Sequence, residues 1–242
     1  MKRLNCIRNS LLILALLIAF TECNKNEEEF SVNCDVIFIK KKVNEEIVFG
    51  TAYIVYSNKS IASAAVTDPN GGGPINLEEF NNFDYTFYYD PGEDDFSTDL
   101  VIPGIYSFDI ANTEGETIEA TDEQEYSNVG FAEIYSLVFD ENNEGLYIGW
   151  NVASEADAYN VRIYKDTDNL IFSGNLIDVS STGYFVSYYS ATGTWSEKPV
   201  KGQNYTLQVQ SIKYDSDATS NDYFYNVQEY SVAERQITWE LD

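Results

Sequence analysis

The chain contains no histidine, and that one gap removes much of ordinary enzyme chemistry. Ser-His-Asp and Cys-His arrangements, HExxH zinc sites and imidazole general bases are all excluded. No glycine-rich phosphate loop of the P-loop or dinucleotide type occurs either. Basic residues are scarce: 14 Lys and Arg stand against 40 Asp and Glu, a formal net charge of −26. A surface of that sign repels phosphate backbones, so nucleic acid is excluded as a partner. The bland consequence of the charge is solubility; the sharper one is attraction for Ca²⁺ or a cationic surface. Carboxylate pairs of the glycoside-hydrolase kind stay formally open, but with so many acidic residues no pair stands out without geometry. The chain reads as non-catalytic, with no cofactor and no assigned metal site.

Long apolar runs are missing too, except for one. Leu11 to Phe20 (LLILALLIAF) follows the basic Lys2, Arg3 and Arg8. Its length suits the apolar core of a secretory signal, about 7–15 residues, and falls short of the ~20 that span a bilayer. The stretch that follows, FTECNKNEEEF, allows three endings. Ala19-Phe20-Thr21 offers a general signal-peptidase site. Cys23 is otherwise a structural cysteine paired with Cys34, or the first residue of a lipid-anchored chain. The last resembles the bacterial lipoprotein signal, in which a cysteine directly after the apolar core becomes the acylated N-terminus. Asn24 to Glu29 is similar to the Lys-plus-acidic tether of Bacteroidetes-type surface lipoproteins, and its charge makes it a solvated spacer. The resemblance implies a signal peptide over 1–22, lipidation at Cys23, a tether over 23–29 and an outer-membrane protein facing the cell exterior. Several acyl chains would hold it stably where one gives only reversible binding.

Three cysteines make no disulfide framework. Cys6 leaves with the signal, and so do Lys2, Arg3, Arg8 and Glu22, which takes the net charge of residues 23–242 to −28. Cys34, in the run SVNCDVIFI, reads as a small buried apolar residue. With no staples, the fold must rest on its core.

What is abundant is tyrosine (19) and phenylalanine (14). Short alternating runs recur between Asn, Asp, Gly and Ser: FGTAYIVYS, FDYTFYYD, IYSFDI, LYIGWNV, YNVRIY and YTLQVQSI. Period-two alternation with this punctuation predicts antiparallel sheets and an all-β protein. In the second half, LYIGW ends in Trp150, YNVRIY alternates Tyr159, Val161 and Ile163, KPVKGQNYTLQVQSI follows, and YSVAERQITWEL closes. That order resembles a fibronectin type III domain over roughly 130–242. The resemblance implies that Trp150 packs between two sheets and that Tyr205 forms a tyrosine corner, its hydroxyl bonded to backbone a few residues upstream. The stretch GNLIDVSSTGYFVSYYSATGTWSEKP is longer than such a module needs and reads as an extra hairpin or a ligand loop. Residues 30–124 are similar, more loosely, to the immunoglobulin-like class: LVIPGIYSFDI repeats the corner with Tyr106, and NTEG turns into a last strand. Two tandem sandwiches are therefore expected, with a boundary near Glu123 to Gly130.

Four segments invite a functional reading. DPNGGGP (Asp68 to Pro74) is a flexible turn. DPGEDD (Asp90 to Asp95) suits a hard cation by its oxygen count, and a solvated acidic turn by its context. DENNEG (Asp140 to Gly145) opens like an EF-hand but has Asn151 where the bidentate Glu belongs, so it reads as a hairpin turn. Trp195 is different: it lies among turn residues in SATGTWSEKP. Exposed loop aromatics stack on sugar rings or anchor protein interfaces, and a loop aromatic folded back on the core is the plain alternative. Tyr184, Tyr188 and Tyr189, in the same extended insertion, are the candidate extension of a Trp195 platform, with Glu197 and Lys198 as hydrogen-bonding partners. The expected function is adhesion, scaffolding or assembly through sandwich loops or edges, by fold analogy; the alternative is a carbohydrate-binding accessory lipoprotein of a glycan-uptake system. The partners are a membrane, through the anchor, and a protein or glycan outside the cell.

Overall fold

The computed structural model describes residues 28–43, 45–166, 169–189, 191–219 and 226–242. The signal segment 1–22, Cys23 and most of the tether lie outside the described residues. Of Met1–Phe30 only residues 28–30 are described, without regular structure, whereas Ser31–Asp242 forms one compact unit.

The first half supplies β1 (Val32–Val43), β2 (Glu46–Ser57), β3 (Ile61–Thr67), β4 (Ile75–Asn76), β5 (Glu78–Phe80), β6 (Phe83–Tyr89), β7 (Gly104–Asn112) and β8 (Thr117–Gln124). The second supplies β9 (Ile134–Asp140), β10 (Gly145–Trp150), β11 (Ala158–Tyr164), β12 (Leu170–Gly174), β13 (Ile177–Asp178), β14 (Gly183–Ser187), β15 (Gly193–Trp195), β16 (Asn204–Tyr214) and β17 (Val227–Thr238). Three sheets result: a four-stranded one in the order β4-β3-β7-β8, a three-stranded one in the order β14-β10-β9, and a ten-stranded one running β15-β12-β11-β16-β17-β1-β2-β6-β5, with β13 beside β11. The protein is all-β.

Alternation decides which face each strand buries. In β11, Tyr159, Val161 and Ile163 point inward; in β16, Tyr205, Leu207 and Val209 do, and all are shut from solvent. They meet Leu146, Ile148 and Trp150 of β10 and Val186 of β14 across the second sandwich. The three-stranded sheet against β12-β11-β16-β17 is a fibronectin type III-like arrangement. Trp150 is fully buried, its ring 5.5 Å from that of Tyr159. The Tyr205 hydroxyl accepts from Val200 N–H at 2.8 Å, five residues upstream. The long insertion contributes β14 to the small sheet and β15 to the edge of the large one.

The first sandwich repeats the device. Tyr106 is buried and its hydroxyl donates to Ile102 carbonyl at 2.6 Å, while Tyr53 packs on Tyr106 and Phe108 with ring centres 5.8 and 6.5 Å away. The NTEG turn closes on Asn112, whose side-chain oxygen accepts from the N–H groups of Glu114 and Glu116, with Gly115 at a φ of 86°.

The two halves share one sheet. First strand β1 pairs in parallel with last strand β17, Phe38 opposite Glu229 through Lys41 opposite Val232. The polar segment expected as a boundary packs into this seam: Gln124 is buried, its amide donating to the carbonyls of Val36 and Gln228. Lys40 and Glu229 form an ion pair of 2.7 Å there, their side chains only 14% and 6% exposed, and Ser127 hydroxyl donates to the other Glu229 oxygen.

Candidate functional site

Trp195 belongs to short β15, which pairs with β12 and so turns the indole toward the core. Its ring centre lies 4.6 Å from Phe172 and 6.0 Å from Trp239, and its Nε1–H donates to Ser187 carbonyl at 3.1 Å. Tyr184 is half-buried, with its hydroxyl donating to Thr192 carbonyl and accepting from Asn175 N–H. Tyr188 and Tyr189 are exposed, but their rings stand at 88° to each other, and Tyr188 is tilted 57° from Trp195. Lys198 sits over both tyrosines at 5.8 and 5.7 Å, and Glu197 is paired with Lys165 at 2.6 Å. Of the two readings left open for Trp195, the geometry is that of an aromatic folded back on the core: the indole packs on Phe172 and Trp239, and the rings of Tyr188 and Tyr189 are not coplanar with it or with each other.

An exposed aromatic face does exist, one sheet over. On the outer face of the three-stranded sheet, Tyr135 is 65% exposed, Val138 55% and Tyr147 50%, with Phe185 partly exposed beside them. Glycines lie beneath the rings. A Cβ at Gly183 would come within 2.6 Å of the Tyr147 hydroxyl, one at Gly145 within 2.4 Å of Phe185 Cζ, and one at Gly149 within 3.2 Å of Tyr135 Cζ. Each ring thus lies down over a glycine of a neighbouring strand, a place that any side chain would fill. Pairing explains it: Tyr147 is opposite Phe185, Gly149 is opposite Gly183, and the two rings lean diagonally in opposite directions. Tyr135 reaches the face through the irregularity at Gly149/Trp150, where β9 carries one residue more than β10. Sequence reasoning missed these residues, although glycines two residues either side of Tyr147 were a visible signal.

Elsewhere, Phe80, Phe83 and Tyr85 are exposed at the β5–β6 edge of the large sheet. There Phe80 meets Tyr88 edge-on, 5.1 Å between centres. The edge strand itself reads Glu78-Glu79-Phe80, and charges on an edge discourage strand addition.

An open cleft of about 1240 Å³ is lined by Asp122, Glu123, Glu125, Asp157, Asp178, Asp215 and Asp217, with Lys213 among them. Asp157 is occupied: it accepts from Tyr214 N–H at 3.0 Å and pairs with Lys213 at 3.1 Å. Asp35 is buried where β1 and β17 diverge, and it accepts from Val227 N–H at 3.2 Å; Asp122 accepts from Val36 N–H at 2.8 Å. These carboxyls hold strand ends together. Among the described residues no group of three acidic or cysteine side chains is placed to hold a metal ion. DPGEDD forms an exposed turn closed by Asp95, which accepts from Gly92 N–H. Cys34 carries a free thiol that burial, with Asp122 and Asp35 nearby, pushes up to about 12, so it is inert as a nucleophile.

Burial, then the charges of Asp122 and Asp215, pushes the Asp35 carboxyl up to about 8, and burial raises Asp215 to about 6. Both native values stand above the ordinary carboxylate range, so the folded state keeps protons that the unfolded chain releases from about pH 4 upward. Their stabilising contribution is complete below that range and is lost as pH rises through about 6 and then about 8. The expected result is a melting temperature that falls between pH 5.5 and 9, with most of the fall above pH 7 removed by Asp35→Asn. A wild-type profile that is flat or rising over that range, followed by circular dichroism, would contradict it.

No family profile and no curated protein matches the chain. Among solved structures, a two fibronectin type-III domain segment from chicken tenascin matches at 12% identity, covering 78% of this chain and 92% of that one, with a TM-score of 0.28. So low a score supports no argument about function, and the sandwich assignment rests on the strand pairing given above.

Proposed function

We propose that this protein is a non-catalytic binding module of the cell surface, lipid-anchored at Cys23 in the outer membrane and facing outward. Its N-terminal sandwich is immunoglobulin-like in this reading, and the acidic tether holds both sandwiches off the bilayer. The observation that carries the binding role is the aromatic outer face of β9, β10 and β14. Its area is ordinary for a protein surface; what sets it apart is that three strand positions beneath the rings are glycine, leaving Tyr135, Tyr147 and Phe185 laid along the sheet where side chains would otherwise stand. The partner is met on an open surface rather than inside a pocket. Protein contact through the β5–β6 edge is the second reading, favoured by exposed Phe80 and Phe83 and opposed by the two edge glutamates.

The test compares full-length protein with a Tyr135→Ala/Tyr147→Ala double variant on immobilised extracellular protein and polysaccharide fractions. The variant, with an unchanged circular dichroism spectrum, should lose at least tenfold in retention on whichever fraction holds the wild type. Equal retention of both on every fraction would remove the face from the contact surface.

A further inference from the structure

We infer that the occupant of the Tyr135–Tyr147–Phe185 face is a neutral glycan chain, a conclusion that rests on the binding role proposed for that face. Size is the first argument. Three strands about 4.8 Å apart, of five to seven residues at about 3.3 Å each, outline roughly 250–300 Å². A stable protein complex buries about 800 Å² on each partner, so this face is too small for one, whereas it spans a few pyranose rings.

Chemistry is the second argument. An aromatic ring is electron-rich on its face, and the apolar side of a pyranose presents polarised C–H groups that suit such a face. Rings whose tips rest over Gly183, Gly145 and Gly149 lie along the sheet rather than standing off it, whereas Tyr188 and Tyr189 are crossed at 88°. The phenol of Tyr147 and the hydroxyl of Ser136, on the same side of the sheet, supply hydrogen-bonding groups beside the rings. No lysine, arginine or glutamate projects from this face on β9, β10 or β14, so little side-chain freedom is lost on binding. Charge is the third argument. With 40 acidic against 14 basic residues, the protein repels polyanions, so acidic chains are disfavoured; a cationic chain would be held by charge and released by salt, which separates it from a neutral one.

Affinity electrophoresis of full-length protein through gels containing xylan, mannan, laminarin, hydroxyethylcellulose or polygalacturonate tests this. Retardation is expected in at least one neutral polysaccharide, little changed between 0.05 and 0.5 M salt, and at least tenfold weaker for Tyr147→Ala. Gly183→Ala, which keeps the tyrosine but lifts its ring, should give a smaller loss in the same direction. Retardation by polygalacturonate alone overturns the inference, and so does equal retardation of wild type and variants. If no neutral polysaccharide retards the wild type while the double variant still loses its hold on a protein fraction, the glycan assignment falls and the binding role of the face survives. If the double variant loses nothing on any fraction, both fall.

Discussion

Trp150→Ala should destabilise the protein by about 3–5 kcal/mol, the range for truncating a large aromatic in a packed core. The indole is fully buried at the end of β10, in contact with Tyr159 and within the cluster that joins both sheets of the second sandwich. Alanine leaves a cavity there, because the strands around it are fixed by their own ladders and collapse little. For a unit of this size the loss corresponds to a drop in melting temperature of roughly 6–20 °C. Trp150→Phe should cost distinctly less than Trp150→Ala. Its ring refills much of the space, and the Nε1–H it removes is buried without a hydrogen-bond partner among the described residues. Thermal melts of the three proteins decide the point; a loss under about 1 kcal/mol for alanine would mean that the indole does not organise the core.

Glu229→Ala should have an effect of similar size for a different reason. The carboxylate bridges the seam, taking the Lys40 ammonium on one oxygen and the Ser127 hydroxyl on the other, with almost no access to water. Removing it leaves a buried ammonium unpaired, which typically costs about 3–5 kcal/mol. A Lys40→Met/Glu229→Leu pair should recover most of that loss, since replacing both charges by apolar groups also removes their desolvation cost. Chemical denaturation of the single and double variants gives the comparison. A double variant no more stable than Glu229→Ala would show that shape at the seam, not the stranded charge, sets the cost.

Much of this was legible in the sequence. Strands announce themselves by alternation: Tyr159, Val161 and Ile163, or Tyr205, Leu207 and Val209, can bury one face only if the chain is extended. The corner tyrosines are legible for the same local reason, since Tyr106 and Tyr205 each reach backbone only four or five residues upstream. The candidate site was less so. Turn-residue neighbours left Trp195 open between an exposed loop aromatic and one folded back on the core; pairing of β15 with β12 brings it onto Phe172. The aromatic face was hidden because no single segment contains it. Its rings come from three strands, one of them through an irregularity that no alternation pattern predicts.

By itself the sequence determined the class of fold, the sandwich cores and the exclusion of histidine chemistry, because composition and period two act within a few residues. Tertiary structure alone decided that β1 pairs in parallel with β17, joining two sandwiches through one sheet around a buried Lys40–Glu229 pair. It alone decided that Tyr135, Tyr147 and Phe185 share a face. Both depend on which distant strands become neighbours, and a strand's own alternation fixes which face it buries but not whose edge it meets.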